Sequence, residues 1–329
     1  MIALALLCSS SCKRIPPASE QEAATARCLK EISAITQMAA LLKTRNKESE
    51  KVDERSLEGM EIALTINGMI RSHGDPDEGV DSWCSKENSP ENFHKITDAL
   101  NQNEMPPTVA FIIGRLFDQS MAEAWLESGN LVGNMTYKPT KAKKKAVQKF
   151  IDDAGRTDEL LSPLWKKFSS EKRFFRYPGA RTSGDAEAQS QIQKYLDEKG
   201  YVAVPFTINA RNYHFTNIYC AALTRGDQAC LNLIKTYFKT LLLEVTYKSR
   251  VTAQSIAGRE IKHILVLKAN QFICDNLADI LAWYKSLGVK FITIDEALSD
   301  PFYTSVDEKG RPPYRTILRR IKRGKSAEK

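Results

Sequence analysis

The sequence predicts an α/β fold built from parallel βα units. Short apolar runs alternate with amphipathic stretches of helical period along most of the chain. Strands that alternate with helices of about 10–15 residues form parallel sheets, as a barrel or a doubly wound sheet. The chain has 329 residues, 42% of them hydrophobic and 27% charged. That length fits two domains of about 150 residues, or one α/β barrel of about 250 residues with extensions. The composition excludes collagen-like, low-complexity and largely disordered chains. No apolar run approaches the roughly 20 residues of a membrane-spanning helix.

The elements follow in order. From Ser19 to about Glu54, Cys28, Ile32, Ile35, Met38 and Leu41 recur at helical steps, and Ser19 with Glu22 fits a capping box. The segment becomes polar from Lys43 to Arg55 and reads as a link to the main domain, or as a tether. Strands are expected at Glu61 to Ile66, Thr108 to Ile113, Phe174 to Tyr177, Tyr201 to Val204, Ile264 to Leu267 and Lys290 to Ile294. Helices are expected over Phe93 to Gln102, Ser120 to Ser128, Lys141 to Ala154, Ala186 to Lys199, Asp227 to Ala257 and Cys274 to Leu287. In parallel βα folds active residues sit at the carboxyl ends of strands. Those ends are 65–69, 113–116, 176–179, 207–210, 268–271 and 295–296.

The net charge is +8, unevenly placed: from Pro301 onward nine Lys or Arg face three acidic side chains. Such a tail suits an anionic surface or is a solvated terminus. At the other end, Ile2 to Leu7 form a short apolar run before Cys8-Ser9-Ser10-Ser11-Cys12-Lys13. Small residues before a cysteine are what a bacterial lipoprotein signal needs, which makes Cys12 the expected lipidation site. Lipid at Cys12 beside Lys13 and Arg14 would give the two-part membrane anchor. Seven cysteines are present without a Cys-x-x-Cys pair, which argues against a zinc knuckle or thioredoxin motif. Cys220 and Cys230 can bridge if the chain turns between Thr224 and Asp227; two buried thiols fit equally.

Five segments, in order, carry a resemblance. They are Ala63-Leu64-Thr65-Ile66-Asn67-Gly68; Pro106-Pro107-Thr108-Val109-Ala110-Phe111-Ile112-Ile113-Gly114; Gly133-Asn134-Met135-Thr136-Tyr137-Lys138-Pro139; Phe175-Arg176-Tyr177-Pro178; and Leu265-Val266-Leu267-Lys268-Ala269-Asn270, followed by Asp295-Glu296-Ala297-Leu298. Together they resemble the polysaccharide deacetylase (NodB-homology, carbohydrate esterase) family over about 58–301. The resemblance implies an irregular (β/α) barrel of about seven strands. Together with the readings of the two ends, the chain divides into a lipoprotein-type signal (1–12), an N-terminal helix and linker (13–57), the barrel (58–300) and a basic tail (301–329).

The family's chemistry is metal-assisted amide hydrolysis. Two histidines on one helical turn and an aspartate hold a divalent metal such as zinc, which lowers the pKa of its water. A second aspartate accepts a proton and a late histidine donates one. At the matching positions this sequence has Asn67 for the base, Gly68, Met135 and Pro139 for the metal ligands, and Lys268 for the acid. All five are chemically unsuited, so no metal cofactor and no catalytic residue is expected. Only four histidines exist, His73, His94, His214 and His263, with no i,i+4 pair. No Gly-x-Ser-x-Gly elbow or phosphate loop occurs. The run around His73, Asp75, Asp77, Glu78 and Asp81 reads as a solvated acidic turn or a hard-cation loop.

What remains is a pocket of inverted charge. Arg176 stays and Lys268 arrives while the carboxylates leave, so an anion is favoured: an acidic sugar or a carboxylate of cell-wall glycan. The candidate ligand contacts are Arg176, Lys268, Asn67, Tyr177 and Asn270; a salt bridge from Lys268 to Asp295 or Glu296 is the alternative. Trp83, Trp125, Trp165 and Trp283 suit either sugar stacking or packing, and the lysines from Lys141 to Lys149 either a solvated helix face or an anionic polymer. The expected protein is therefore a catalytically inactive deacetylase-like protein of the bacterial envelope. It is lipid-anchored at the periplasmic face and binds cell-wall glycan or a protein partner, with no nucleic-acid role. The alternative is an active, divergent hydrolase on carbon–nitrogen bonds, other than peptide bonds, in carbohydrates.

Overall fold

The computed structural model describes residues 18–33, 56–71, 84, 89–139, 142, 146–170, 172–180, 185–305 and 313–322. The signal-like segment with Cys12, the acidic run at 73–81, Trp83 and most of the lysine run at 141–145 lie outside them.

Seven parallel strands form one curled sheet: β1 (Glu61–Asn67), β2 (Val109–Ile112), β3 (Leu131–Asn134), β4 (Arg173–Phe175), β5 (Tyr201–Ala203), β6 (His263–Lys268) and β7 (Lys290–Ile292). Their order is β5-β4-β3-β2-β1-β6, with β7 beside the first half of β1. The helices, in chain order, are α1 (Ala18–Ser33), α2 (Ser89–Gln102), α3 (Gln119–Glu127), α4 (Val147–Lys167), α5 (Ala186–Glu198), α6 (Thr216–Arg225), α7 (Gln228–Ala257), α8 (Gln271–Ser286), α9 (Ile294–Leu298) and α10 (Pro313–Lys322). After β5 the chain returns along the outer edge of β6. Thr207 N and Ile208 N both donate to the Ile264 carbonyl (3.0 and 3.1 Å), and Val266 N donates to that of Ile208 (3.0 Å). β6 is thereby paired on both edges, and the sheet closes most of the way into the expected irregular barrel.

Alternation builds two cores. Ile62, Leu64 and Ile66 of β1, Ile112 of β2 and Leu265 and Leu267 of β6 face outward and pack with the helices. Ala63, Val109, Phe111, Phe174, Ile264 and Val266 face inward and fill the barrel with Met135, Val204 and Phe206. Strands buried on both faces read as continuous apolar runs, which is why β1, β2 and β6 stood out in the sequence. Full burial of each such side chain contributes about 1.5–3 kcal/mol.

Several expectations need correction. Cys220 and Cys230 do not pair with each other: the bonds run Cys28–Cys230 and Cys84–Cys220. The turn at Gly226 (φ +65°) does exist, as the left-handed cap of α6. It separates two helices whose cysteines serve different partners: Cys230 holds α1, and Cys220 holds the segment before α2. Cys274 is a buried free thiol, raised well above its usual pKa by burial. The helix expected from Lys141 begins only at Val147 and runs on to Lys167. The basic tail is not wholly a solvated terminus: α10 packs on α7, with Ile317 fully buried beside Ala253, Ile261 and Phe302.

Candidate ligand site at the carboxyl end of the barrel

Because every strand is parallel, the five segments of the resemblance end on one rim. Asn67, last in β1, lies in register between Phe111 of β2 and Lys268 of β6. Thr65 and Asn67 are two apart on one strand, so both point inward. There they meet Arg176, the residue after β4 by one position. Arg176 Nη1 donates to Thr65 Oγ1 (2.8 Å) and to Asn67 Oδ1 (2.9 Å). Its Nε donates to the Val204 carbonyl (3.2 Å). The guanidinium carbon sits 4.0 Å from the Phe111 ring centre and 5.5 Å from that of Phe206. Thr65 Oγ1 is itself fixed by donating to the Leu265 carbonyl (2.8 Å).

Arg176 is only 1% exposed. Burial drives its pKa well below the usual arginine value. Among the described residues, Nη2 has no hydrogen-bond partner. A buried cation of this kind is costly unless paired. Tyr177, the next residue, stacks on Phe150 with ring centres 5.9 Å apart. Its hydroxyl accepts from Gln189 Nε2 (3.1 Å), and burial pushes its pKa up to about 12. A cleft opens beside these two residues, walled by Val204, Pro205, Phe206 and Tyr314 of α10.

The metal-ligand positions do not fit a divalent cation. Gly68 has no side chain and a left-handed φ of +66°. Met135 is buried in the barrel core, whereas Pro139 is exposed. The backbone between them is not helical: Thr136 has φ +67°, its N donates to Asn134 Oδ1 (2.8 Å), and its hydroxyl bonds the Lys138 carbonyl. A β-branched residue in that region is a genuine outlier. Two side chains four apart therefore do not share a face, as histidines on one helical turn would. Among the described residues, no group of three or more His, Cys, Asp or Glu side chains could hold a metal.

The remaining candidates divide. Lys268 is half-buried at the rim, its backbone clasped by Asn212: Asn212 Nδ2 donates to the Lys268 carbonyl (2.6 Å), and Lys268 N to Asn212 Oδ1 (2.9 Å). The salt bridge considered for it takes another course. Asp295 pairs with Lys172 (2.6 Å), and Glu296 closes the capping box of α9 with Thr293. Asn270 is a correction: it is fully buried as the N-cap of α8, accepting from Ile273 N (2.9 Å) and donating to the Asn212 carbonyl (3.2 Å) and to Thr216 Oγ1 (2.9 Å). Trp125 and Trp165 are core residues, leaving only the half-buried Trp283 of the described tryptophans near a surface. Sequence reasoning missed Thr65, Phe111 and Phe206 around Arg176. For Thr65 and Phe111 the signal was available: each shares a strand face with a residue already singled out. Tyr314 carried no such signal within a basic tail.

The family model for polysaccharide deacetylase matches residues 77–209, which spans the second, third and fourth segments of the resemblance and omits the first and last. That match spans 133 of the 329 residues, and over it the chain is similar to a polysaccharide deacetylase domain. Similar solved chains include a mutant CE4 (carbohydrate esterase) family pseudoenzyme with restored enzymatic activity, at TM-score 0.48 and 14% identity, covering 74% of this chain and 69% of that one. Another is the wild-type pseudoenzyme from Bacillus anthracis, at TM-score 0.48 and 14% identity, covering 74% of this chain and 66% of that one. A third is PdaA of Bacillus subtilis, a family 4 carbohydrate esterase, at TM-score 0.42 and 14% identity, covering 74% of this chain and 82% of that one. No curated protein matches the sequence.

Proposed function

We propose that this protein is a catalytically inactive, deacetylase-like protein of the bacterial envelope that binds cell-wall glycan, or a partner on it, at the carboxyl rim of its barrel. One observation carries the reading. The position of the general base is an amide, Asn67, already bound as an acceptor by Arg176. An amide cannot take the proton that hydrolysis must remove from water. The adjoining ligand positions, Gly68, Met135 and Pro139, supply neither the donors nor the backbone for a metal.

Placement outside the cytosol is supported by two disulfides, which persist in oxidising compartments. The lipoprotein-like residues ending at Cys12 support anchoring at the periplasmic face of a membrane. Among the described residues, no helix is long and apolar enough to cross a membrane.

The test is acetate release from acetylated chitooligosaccharides and from peptidoglycan, with the metal content of the same sample. The reading expects no release above the no-protein control and no stoichiometric zinc. Acetate release with stoichiometric zinc would establish the active hydrolase instead.

A further inference from the structure

Arg176 can be accounted for donor by donor. A guanidinium has five N–H groups and no acceptor. Nε serves the Val204 carbonyl, and Nη1 serves Thr65 and Asn67. Every one of these acceptors is neutral. Among the described residues, the two N–H groups on Nη2 have no partner. The guanidinium thus lies between aromatic rings and, among the described residues, has no anion bonded to it. The cleft next to it is lined by Arg176, Tyr177, Val204, Pro205, Phe206 and Tyr314 among its residues, none of them acidic. Both tyrosine hydroxyls are shifted up by burial, so they stay neutral and do not repel an anion at physiological pH.

We propose that Arg176 Nη2 is the receptor for a carboxylate bound in the cleft between β4, residues 204–206 and Tyr314. The proposal rests on the reading above that this rim binds ligand instead of catalysing hydrolysis. A monoanion matches a single buried charge, whereas a phosphate dianion would leave net negative charge in apolar walls. Planar carboxylates suit the guanidinium better than spherical ions do. Arg176 is 1% exposed, and Tyr314 at the start of α10 lines the cleft beside it. The source of the carboxylate is either an acidic sugar of the glycan or a free small acid.

The test uses the full chain, labelled at arginine nitrogen, titrated at constant ionic strength with acetate, D-glucuronate and neutral N-acetylglucosamine. The readouts are the Arg176 side-chain resonances and the Tm. Both carboxylates are expected to move the resonances saturably and raise the Tm, and the neutral sugar to do neither. Tighter binding of glucuronate than acetate assigns the site to an acidic sugar; equal binding assigns it to a free small acid. Arg176→Met should abolish the Tm response. Should that variant not fold, Asn67→Asp supplies an internal anion and should weaken carboxylate binding by about tenfold or more, while Tyr314→Ala should strengthen it. A flat titration of the wild-type chain, or an equal response to the neutral sugar, overturns the site. A flat titration alongside retained glycan binding sinks the carboxylate site alone. Acetate release by the wild type, with the titration as expected, sinks only the inactive reading.

Discussion

Replacing Asn67 with aspartate changes one atom at the centre of the rim and tests the electrostatics directly. Asn67 Oδ1 already accepts from Arg176 Nη1 at 2.9 Å, so the near-isosteric carboxylate can keep that geometry. Two unit charges about 4 Å apart attract by about 4 kcal/mol at an effective dielectric constant of 20. Desolvation of a half-buried carboxylate takes back much of this. A net gain of about 1–2 kcal/mol remains, comparable to exchanging a neutral for a charged acceptor. For a domain of this size that is a rise in Tm of about 3–6 °C. The sign with pH is fixed: the guanidinium lowers the introduced carboxyl's pKa in the folded state, so the gain is complete above the unfolded value of about 4 and fades as pH falls below it. Calorimetry of wild type and Asn67→Asp at pH 7 and pH 3 is the assay. A variant no more stable than wild type at pH 7, or a gain that survives unchanged at pH 3, would refute the claim that Arg176 is a buried cation lacking a counterion.

Four further outcomes follow from the same structure. The Cys28–Cys230 bond closes 202 residues of chain, so Cys28→Ser should cost about 2–5 kcal/mol in denaturant unfolding under oxidising conditions, and nothing once wild type is reduced. His263 is buried and held neutral, its pKa pushed down to about 3 by burial and by the Arg250 charge. Because the unfolded chain binds that proton near pH 6.5, wild type should lose about 2 kcal/mol between pH 7 and pH 5, and His263→Gln should lack that slope. The combined variant Gly68→Asp, Met135→His, Pro139→His should not take up stoichiometric zinc by elemental analysis, because residues 135–139 do not form a helical turn. Cys12→Ser should move the protein from the membrane to the soluble fraction in cell fractionation.

Much of the barrel was legible because parallel strands declare themselves as apolar runs. Those around Ile62 to Ile66, Val109 to Ile112 and Ile264 to Leu267 fall within or on observed strands. β3 escaped because Leu131–Asn134 is four residues long and includes Gly133, whose small size lets Phe111 approach: a Cβ there would stand 2.5 Å from that ring. α4 runs well past the expected end at Ala154: it continues through Pro163 to Lys167, with Leu164 and Trp165 buried. α10 hid among its charges, its apolar stripe reduced to Tyr314, Ile317 and Leu318. Disulfide partners could not be read, since Cys28 and Cys230 meet only through tertiary docking of α1 on α7. At the site, residue identities were visible at Asn67, Gly68, Met135, Pro139, Arg176 and Lys268. Their bonding was not: that Arg176 has only neutral acceptors depends on where Asp158, Asp295 and Glu296 go, and each is committed elsewhere. Asn270 looked like a rim ligand because a cap and a ligand both call for a short polar side chain after a strand.

The central claim is a glycan-binding rim without metal chemistry. Retention of the purified protein on insoluble peptidoglycan and chitin, with and without chelator, tests it most directly. Binding that is the same with chelator is the predicted result. Binding that chelator abolishes would contradict the account, because it would require a metal at positions where Asn67, Gly68, Met135 and Pro139 stand.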